Sequence, residues 1–289
     1  MGGSVFVTVE EAKAAGLAFE DPGMERCPHC GRALGALGVE LAGRVAWVSR
    51  EDCGCESAAR ERAEKKSADA QRAAERQRSR ERELLARAGV PRRYAGAAVD
   101  LPQVFAYIAS FQGNGGAGLY IHGAVGRGKT YAASAIAREF LLSGYNVVFT
   151  TAKGMLESIK ATFDGGAPTA GAVSRYAKCD LLVIDDLGKE DATEWSVGTV
   201  FSVLNTRYED MRPTVVTSNY RLDELPRRLG RRGESVTGSA IASRIAETCT
   251  AVALSGPDRR TGRSGQTRPA RPDSTPPRPR RAETENDPI

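Results

Sequence analysis

Long apolar runs are missing from this chain. The longest, Val104 to Ala109, has six residues, whereas a bilayer-spanning helix needs about 20, so no membrane partner is expected. The amino terminus, Met1 to Glu11, has neither a basic stretch nor an apolar core, and Phe6 breaks the acylation pattern that Gly2 would begin. A cytoplasmic location is the expectation. A strong charge of one sign is also missing: 41 Lys and Arg against 36 Asp and Glu leave +5, which permits contact with nucleic acid without demanding it. Between Glu56 and Glu83 there is no Leu, Ile, Val, Met or aromatic residue, which removes any seam for a coiled coil. What fills Glu56 to Ala88 is Ala, Arg, Glu, Lys and Gln, with ten basic and seven acidic residues. That composition predicts one long helix, either a solvated spacer or an arm for nucleic acid. Residues 257 to 289 lack Leu, Val and aromatics but hold seven of the 14 prolines and eight arginines, which predicts a disordered basic tail.

What remains is enough for a globular protein: 289 residues, 41% hydrophobic, or about two domains at roughly 150 residues each. Six cysteines are unevenly placed, with Cys27, Cys30, Cys53 and Cys55 inside 29 positions and Cys179 and Cys249 apart. In a reducing compartment, CxxC followed by CxC reads as metal thiolates rather than disulfides; two redox pairs are the other reading. Each short pair can turn two sulfurs onto one ion, and four thiolates in a tetrahedron point to Zn²⁺. Between the pairs, Gly38 to Leu41 and Arg44 to Val48 read as a hairpin around Ala42-Gly43. His29, inside the first knuckle, is read as a solvent-facing bystander. Cys179 and Cys249 open predicted strands and are read as small buried hydrophobes.

From residue 89 to 260 apolar strands alternate with helical patterns, the mark of an α/β domain with a parallel sheet. The five strands are expected at Gly118 to His122, Asn146 to Thr150, Leu181 to Asp185, Thr214 to Thr217 and Thr250 to Leu254. Helices are expected at Lys129 to Leu142, Lys153 to Phe163, Thr193 to Tyr208 and Ser239 to Glu247. The first strand runs into Gly123-Ala124-Val125-Gly126-Arg127-Gly128-Lys129-Thr130, a phosphate-binding loop in its strand-loop-helix setting. The glycines Gly123, Gly126 and Gly128 let backbone N–H groups, with Arg127 among them, point at phosphate oxygens at a helix N-terminus. Lys129 would reach the β and γ phosphates of ATP and Thr130 would ligate Mg²⁺; Tyr131, the next residue, joins the nucleotide-binding candidates. Such a loop alone fits kinases, GTPases and ATPases. Leu181 to Asp186 decides among them: four apolar residues end in two acids, 56 positions after Lys129. Asp185 would hold Mg²⁺ and Asp186 would orient or deprotonate the attacking water. Asn219, after the next strand, arrives at the same sheet edge, where it would contact the γ-phosphate or the water.

In this order the motifs resemble those of the DnaC/DnaI-type replicative helicase loaders and the related IstB transposition ATPases. The resemblance runs from about Leu84 to Arg260. It rests on Leu85 to Tyr94, the phosphate loop, Leu182-Val183-Ile184-Asp185-Asp186-Leu187-Gly188, Thr217-Ser218-Asn219 and Ser243-Arg244-Ile245. It implies an AAA+ fold in which Asn219 is the sensor 1 residue, Arg244 an arginine finger acting on a neighbouring subunit's ATP site, and Arg260 the late sensor. It further implies a protein that places a hexameric DnaB-like helicase on single-stranded DNA, with self-association through the ATP sites; a transposition helper acting on target DNA is the alternative. The expected organisation is a zinc-binding domain (1–55), a helical linker (56–88), the ATPase (89–260) and the tail (261–289). Lys153, Lys160, Phe163 and the arginines at 227, 228, 231 and 232 are the candidates for contact with a single strand.

Overall fold

The computed structural model describes residues 6–111, 114–164, 169–230 and 235–259. Arg231, Arg232, Arg260, the tail from 261 and the side chain of Phe163 lie outside the described residues. The chain divides into two compact units, one ending at Glu81 and one beginning at Arg82, so the division falls inside the long helix.

In the first unit, β1 (Val7–Thr8) leads into α1 (Val9–Ala14). Thr8 accepts the Glu11 N–H while Glu11 reaches back to the Thr8 N–H at 2.8 Å, a reciprocal cap that satisfies two orphan donors. β2 (Glu25–Arg26) pairs with β3 (Ala33–Leu34). β4 (Ala36–Leu41) pairs with β5 (Arg44–Arg50) across Ala42-Gly43, both at positive φ of 50° and 78°, the turn that matches hairpin twist. The expected hairpin strands lie inside β4 and β5; α1 and the two-residue strands gave no periodicity to read. α2 (Glu56–Ala88) has the predicted bounds.

The second unit takes in the end of α2 and α3 (Pro102–Ser110). The six-residue apolar run is therefore helical, with Val104 and Tyr107 buried one turn apart and Phe105 outside. Then follow β6 (Gly118–His122), α4 (Lys129–Leu142), β7 (Val147–Thr151), α5 (Ala152–Asp164), α6 (Thr169–Lys178) and β8 (Leu181–Leu187). The chain continues through α7 (Glu194–Glu209), β9 (Thr214–Ser218), α8 (Leu225–Leu229), α9 (Ser235–Thr248) and β10 (Cys249–Ala253). The strands form one parallel sheet in the order β10-β6-β9-β8-β7. Strand alternation sorts the core. Leu119, Ile121, Leu181, Val183 and Val215 pack with α4 on one face, and Tyr120, Leu182, Ile184 and Val216 pack with α5, α7 and α9 on the other. Burial on both faces explains why Leu181 to Ile184 reads as an uninterrupted apolar run.

Arg207 of α7 lies in this core at 1% exposure. Its guanidinium donates to the carbonyls of Tyr176, Ala177, Cys179 and Pro213 and to Thr214 Oγ1, at 2.6 to 3.1 Å. It ties α7 to the end of α6 and the start of β9. Arg207→Ala would leave those carbonyls unpaired in an apolar setting, so a loss of about 3 kcal/mol or more is expected from chemical denaturation. Unchanged stability would show that water replaces the guanidinium.

Candidate nucleotide-binding site and cysteine cluster

β6 ends at His122, and the Gly123 to Gly128 loop delivers the chain to α4. Gly128 caps that helix in the left-handed region at φ 90°, a conformation that an L side chain resists. Lys129, at 6% exposure, donates its Nζ to the carbonyls of Gly123 at 2.8 Å and Ala124 at 2.9 Å. The ammonium is thus held across its own loop, beside the N–H groups at the head of α4. Arg127 Nη1 is buried without a hydrogen-bond partner.

Thr130 Oγ1 donates to both oxygens of Asp185, at 3.1 and 3.0 Å. Asp185, at 4% exposure, accepts a second hydroxyl, from Thr217 at 2.5 Å. Burial pushes its pKa up, and the Thr217 and Thr130 bonds act against that. A hydroxyl and a carboxylate in contact at the head of α4 are hard oxygen donors of the kind Mg²⁺ takes, and a dication there would relieve the burial of the Asp185 charge. The residues fit the ion.

Asp186 departs from regular strand geometry. Its φ is 61°, and the pairing of β8 with β9 shifts register between Ile184 and Leu187, a bulge of the kind found beside active sites. Its N–H donates to Thr217 Oγ1 at 2.9 Å, and its carboxylate pairs with Lys189 Nζ at 2.8 Å. Asn219 follows β9 and has a buried Oδ1 without a hydrogen-bond partner, so a polar atom capable of taking a ligand faces no protein donor.

In the Thr217-Ser218-Asn219 motif, Thr217 has no role that spacing reveals, yet it is fully buried and its hydroxyl links the two acids. The available signal was a polar residue in an otherwise apolar run, Val215-Val216-Thr217. Tyr131 is positioned differently from the loop residues. Its hydroxyl accepts the Ala98 N–H at 3.1 Å and its ring meets Tyr94 edge-on at 6.4 Å, tying α4 to the preceding segment. Arg259 rather than Arg260 is the described late arginine: its N–H donates to Gly126 O and its Nη1 to Asp100 Oδ2, each at 2.9 Å.

Arg244 lies elsewhere. Its Nε donates to Asn205 Oδ1 at 3.2 Å, and its guanidinium stacks 4.1 Å over the Tyr208 ring. The Tyr208 hydroxyl takes Glu247 at 2.7 Å. Asn205 and Tyr208 precede the start of β9, whereas the phosphate loop and Asn219 follow strand ends and Asp185 lies in the last part of β8, toward that same edge. A five-residue strand separates these edges by about 16 Å. Of the candidates for DNA contact, Lys153, Lys160 and Arg227 are exposed, and Arg228 donates to the Glu190 carbonyl at 2.9 Å.

In the first unit, one sulfur each from Cys27, Cys30, Cys53 and Cys55 falls within 4.8 Å of all the others. Cys27 leaves β2 into a tight turn closed by Cys27 N–H to Arg32 O at 2.8 Å and Gly31 N–H to Cys27 O at 2.9 Å. The backbone N–H groups of His29 and Cys30 aim at the Cys27 sulfur and pull its pKa down, which favours the thiolate that metals bind. The donor set suits a tetrahedral Zn²⁺. His29 is outside it, with Nε2 2.6 Å from Glu61. Cys179 is buried against Arg207.

Residues 109–267 match the model of the family described as IstB-like ATP binding protein. The replicative helicase loader DnaC of Escherichia coli K12 is 30% identical over 127 residues, 44% of this chain and 51% of DnaC. The replicative helicase loader DnaI of Bacillus subtilis 168 is 28% identical over 160 residues, 53% of this chain and 51% of DnaI. The chain spans about half the length of these curated relatives. A crystal structure of DnaI shares the fold, with a TM-score of 0.50 and 24% identity over 57% of this chain and 94% of that one. No helix among the described residues is long and apolar enough to cross a membrane. Because the family match takes in more than half of the chain, from before β6 to beyond β10, this chain belongs to the IstB-like ATP-binding proteins.

Proposed function

We propose that this protein hydrolyses ATP and uses the nucleotide state to place a hexameric DnaB-like replicative helicase on single-stranded DNA. The observation that carries the ATPase reading is the chain of contacts from Thr130 through Asp185 to Thr217, which joins the phosphate loop to the two strands that supply the other candidates. In this reading Gly123 to Gly128 present backbone N–H groups to the phosphates and Lys129 holds the β and γ oxygens. Thr130 and Asp185 hold Mg²⁺, which neutralises phosphate charge when bound. Asp186 orients the water and accepts its proton, Asn219 donates its amide to the γ-phosphate or the water, and Arg244 serves a neighbouring subunit. The loader reading is supported by the DnaC and DnaI relatives, together with a cysteine module ahead of the ATPase.

The test is capture of a purified replicative helicase by the full chain, with and without ATP. Nucleotide-dependent capture by the wild type, lost in Lys129→Ala, is expected. A transposition helper would instead leave the helicase in solution and bind duplex target DNA, and that result would overturn the loader reading. Purified protein should also carry one zinc per chain. Cys27→Ser should release it and loosen the first unit while ATP binding persists, because the ligands belong to a separate compact unit. Elemental analysis without zinc, beside freely titratable thiols, would refute the metal assignment.

A further inference from the structure

Five residues beyond Asp185 the chain buries another carboxylate that the proposed reaction does not use. Glu190 is 4% exposed. Its Oε2 accepts the Gly188 N–H at 2.9 Å, and its Oε1 is buried without a hydrogen-bond partner. Burial raises its pKa, opposed by loop N–H groups and by the charge of Arg228. A half-satisfied buried carboxyl is costly, so its presence here calls for a geometric reason.

That reason lies in the loop it closes. Asp186 and Gly188 both have positive φ, 61° and 92°, and Lys189 N–H returns to Asp186 O at 3.2 Å. One end of the loop is pinned where the Asp186 N–H meets Thr217 Oγ1. The other is pinned where Glu190 takes the Gly188 N–H, with Glu190 itself held from outside by Arg228 Nη2 on its carbonyl at 2.9 Å. Gly188 itself passes close to Tyr220: a Cβ on it would stand 2.9 Å from that ring, so the loop admits no side chain at this position. Without the second pin, the left-handed backbone at Asp186 would be free to relax, because such conformations persist only where the surroundings over-determine them.

We propose that Glu190 is a positioning residue: it fixes the Asp186 to Glu190 loop so that the Asp186 carboxylate meets the attacking water in one orientation. It acts through the backbone and touches neither nucleotide nor water. The proposal rests on the reading of Asp186 as the water-orienting group.

The experiment compares the full-length wild type with Glu190→Ala, Glu190→Gln, Glu190→Asp, Asp186→Asn and the Asp186→Asn/Glu190→Ala double variant. It measures kcat, KM, affinity for a fluorescent ATP analogue and thermal midpoint. Glu190→Ala should lower kcat on the order of 10- to 100-fold, the cost of a displaced reacting group, and leave analogue affinity within about twofold. Gln keeps an acceptor for the Gly188 N–H and should retain most of the rate; Asp keeps the charge but falls one methylene short and should behave like Ala. Adding Glu190→Ala to Asp186→Asn should lower kcat no further, since nothing is left to position. The clamp is overturned by a wild-type kcat in Glu190→Ala beside a slow Asp186→Asn, by losses that multiply in the double variant, or by full activity in Asp with none in Gln. Should Glu190→Ala not fold, the Gln and Asp pair decides the question alone. A wild-type rate for Asp186→Asn overturns the reading of Asp186, and the clamp with it.

Discussion

An Arg244→Ala chain and a Lys129→Ala chain, each inactive alone, should recover ATP hydrolysis when mixed. Arg244 sits at the edge of the sheet where strands begin, on Asn205 and Tyr208, and its own chain's phosphate loop lies at the opposite edge. A guanidinium that acts on the transferred phosphoryl group from that position must serve another subunit. Removing a finger of this kind costs about 10³- to 10⁵-fold in rate. In a mixed assembly, some interfaces pair the intact loop of an Arg244→Ala chain with the intact Arg244 of a Lys129→Ala chain, and these should turn over. Arg244→Lys should remain slow, because a point charge lacks the planar fork that grips phosphate oxygens. The stacking on Tyr208 contributes only about 1 kcal/mol to the fold, so circular dichroism should find Arg244→Ala folded. Mixed oligomers that form and stay inactive at every ratio would remove Arg244 from the trans site.

The parts of this protein legible in the sequence are those where one short-range constraint dominates. Leu181 to Ile184 had to be a strand buried on both faces, and Gly123 to Thr130 needed glycines in sequence to turn the backbone inward. α2 was readable from its composition of helix formers alone. α3 is not legible in sequence, because six consecutive apolar residues carry no visible period, although in the fold Val104 and Tyr107 face the core and Phe105 the solvent. α6 and α8 are held by tertiary packing: α6 by the carbonyls that Arg207 gathers, and α8 by the buried Leu225 and Leu229. At the candidate site the same division holds. Lys129, Thr130, Asp185 and Asn219 are legible by motif. Thr217 and Glu190 act through contacts 31 and two residues away in sequence, to Asp186 N–H and Gly188 N–H respectively, and no spacing rule announces them. The left-handed backbone of Asp186 was equally silent, since aspartate is ordinary at the end of a strand.

Lys129→Ala and Asp186→Asn should separate binding from hydrolysis. Lys129 is a buried cation whose two bonds hold it to the loop carbonyls. Losing a charge-assisted bond to each of two phosphates, at roughly 1.5 to 3 kcal/mol apiece, should weaken ATP binding on the order of 10²-fold or more and so abolish turnover at ordinary nucleotide levels. Asp186→Asn leaves that clamp, with Thr130 and Asp185, in place. Asparagine also tolerates the left-handed φ of 61° at this position, whereas alanine would add backbone strain and confuse the result. The variant should therefore bind ATP as the wild type does and lose about 10²- to 10⁴-fold in kcat, the usual contribution of a positioned base. Thr217→Val tests the link between the two acids. It removes the hydroxyl that Asp185 accepts and that receives the Asp186 N–H, leaving the N–H unpaired and the Asp185 carboxylate with one protein donor fewer. Both affinity and kcat should fall, since the same atom contacts the acid proposed to hold Mg²⁺ and the acid proposed to orient the water. Isothermal titration and a phosphate-release assay on the three variants decide the matter: a kcat loss in Thr217→Val without any loss of Mg²⁺-ATP affinity would confine Thr217 to the Asp186 side of the site.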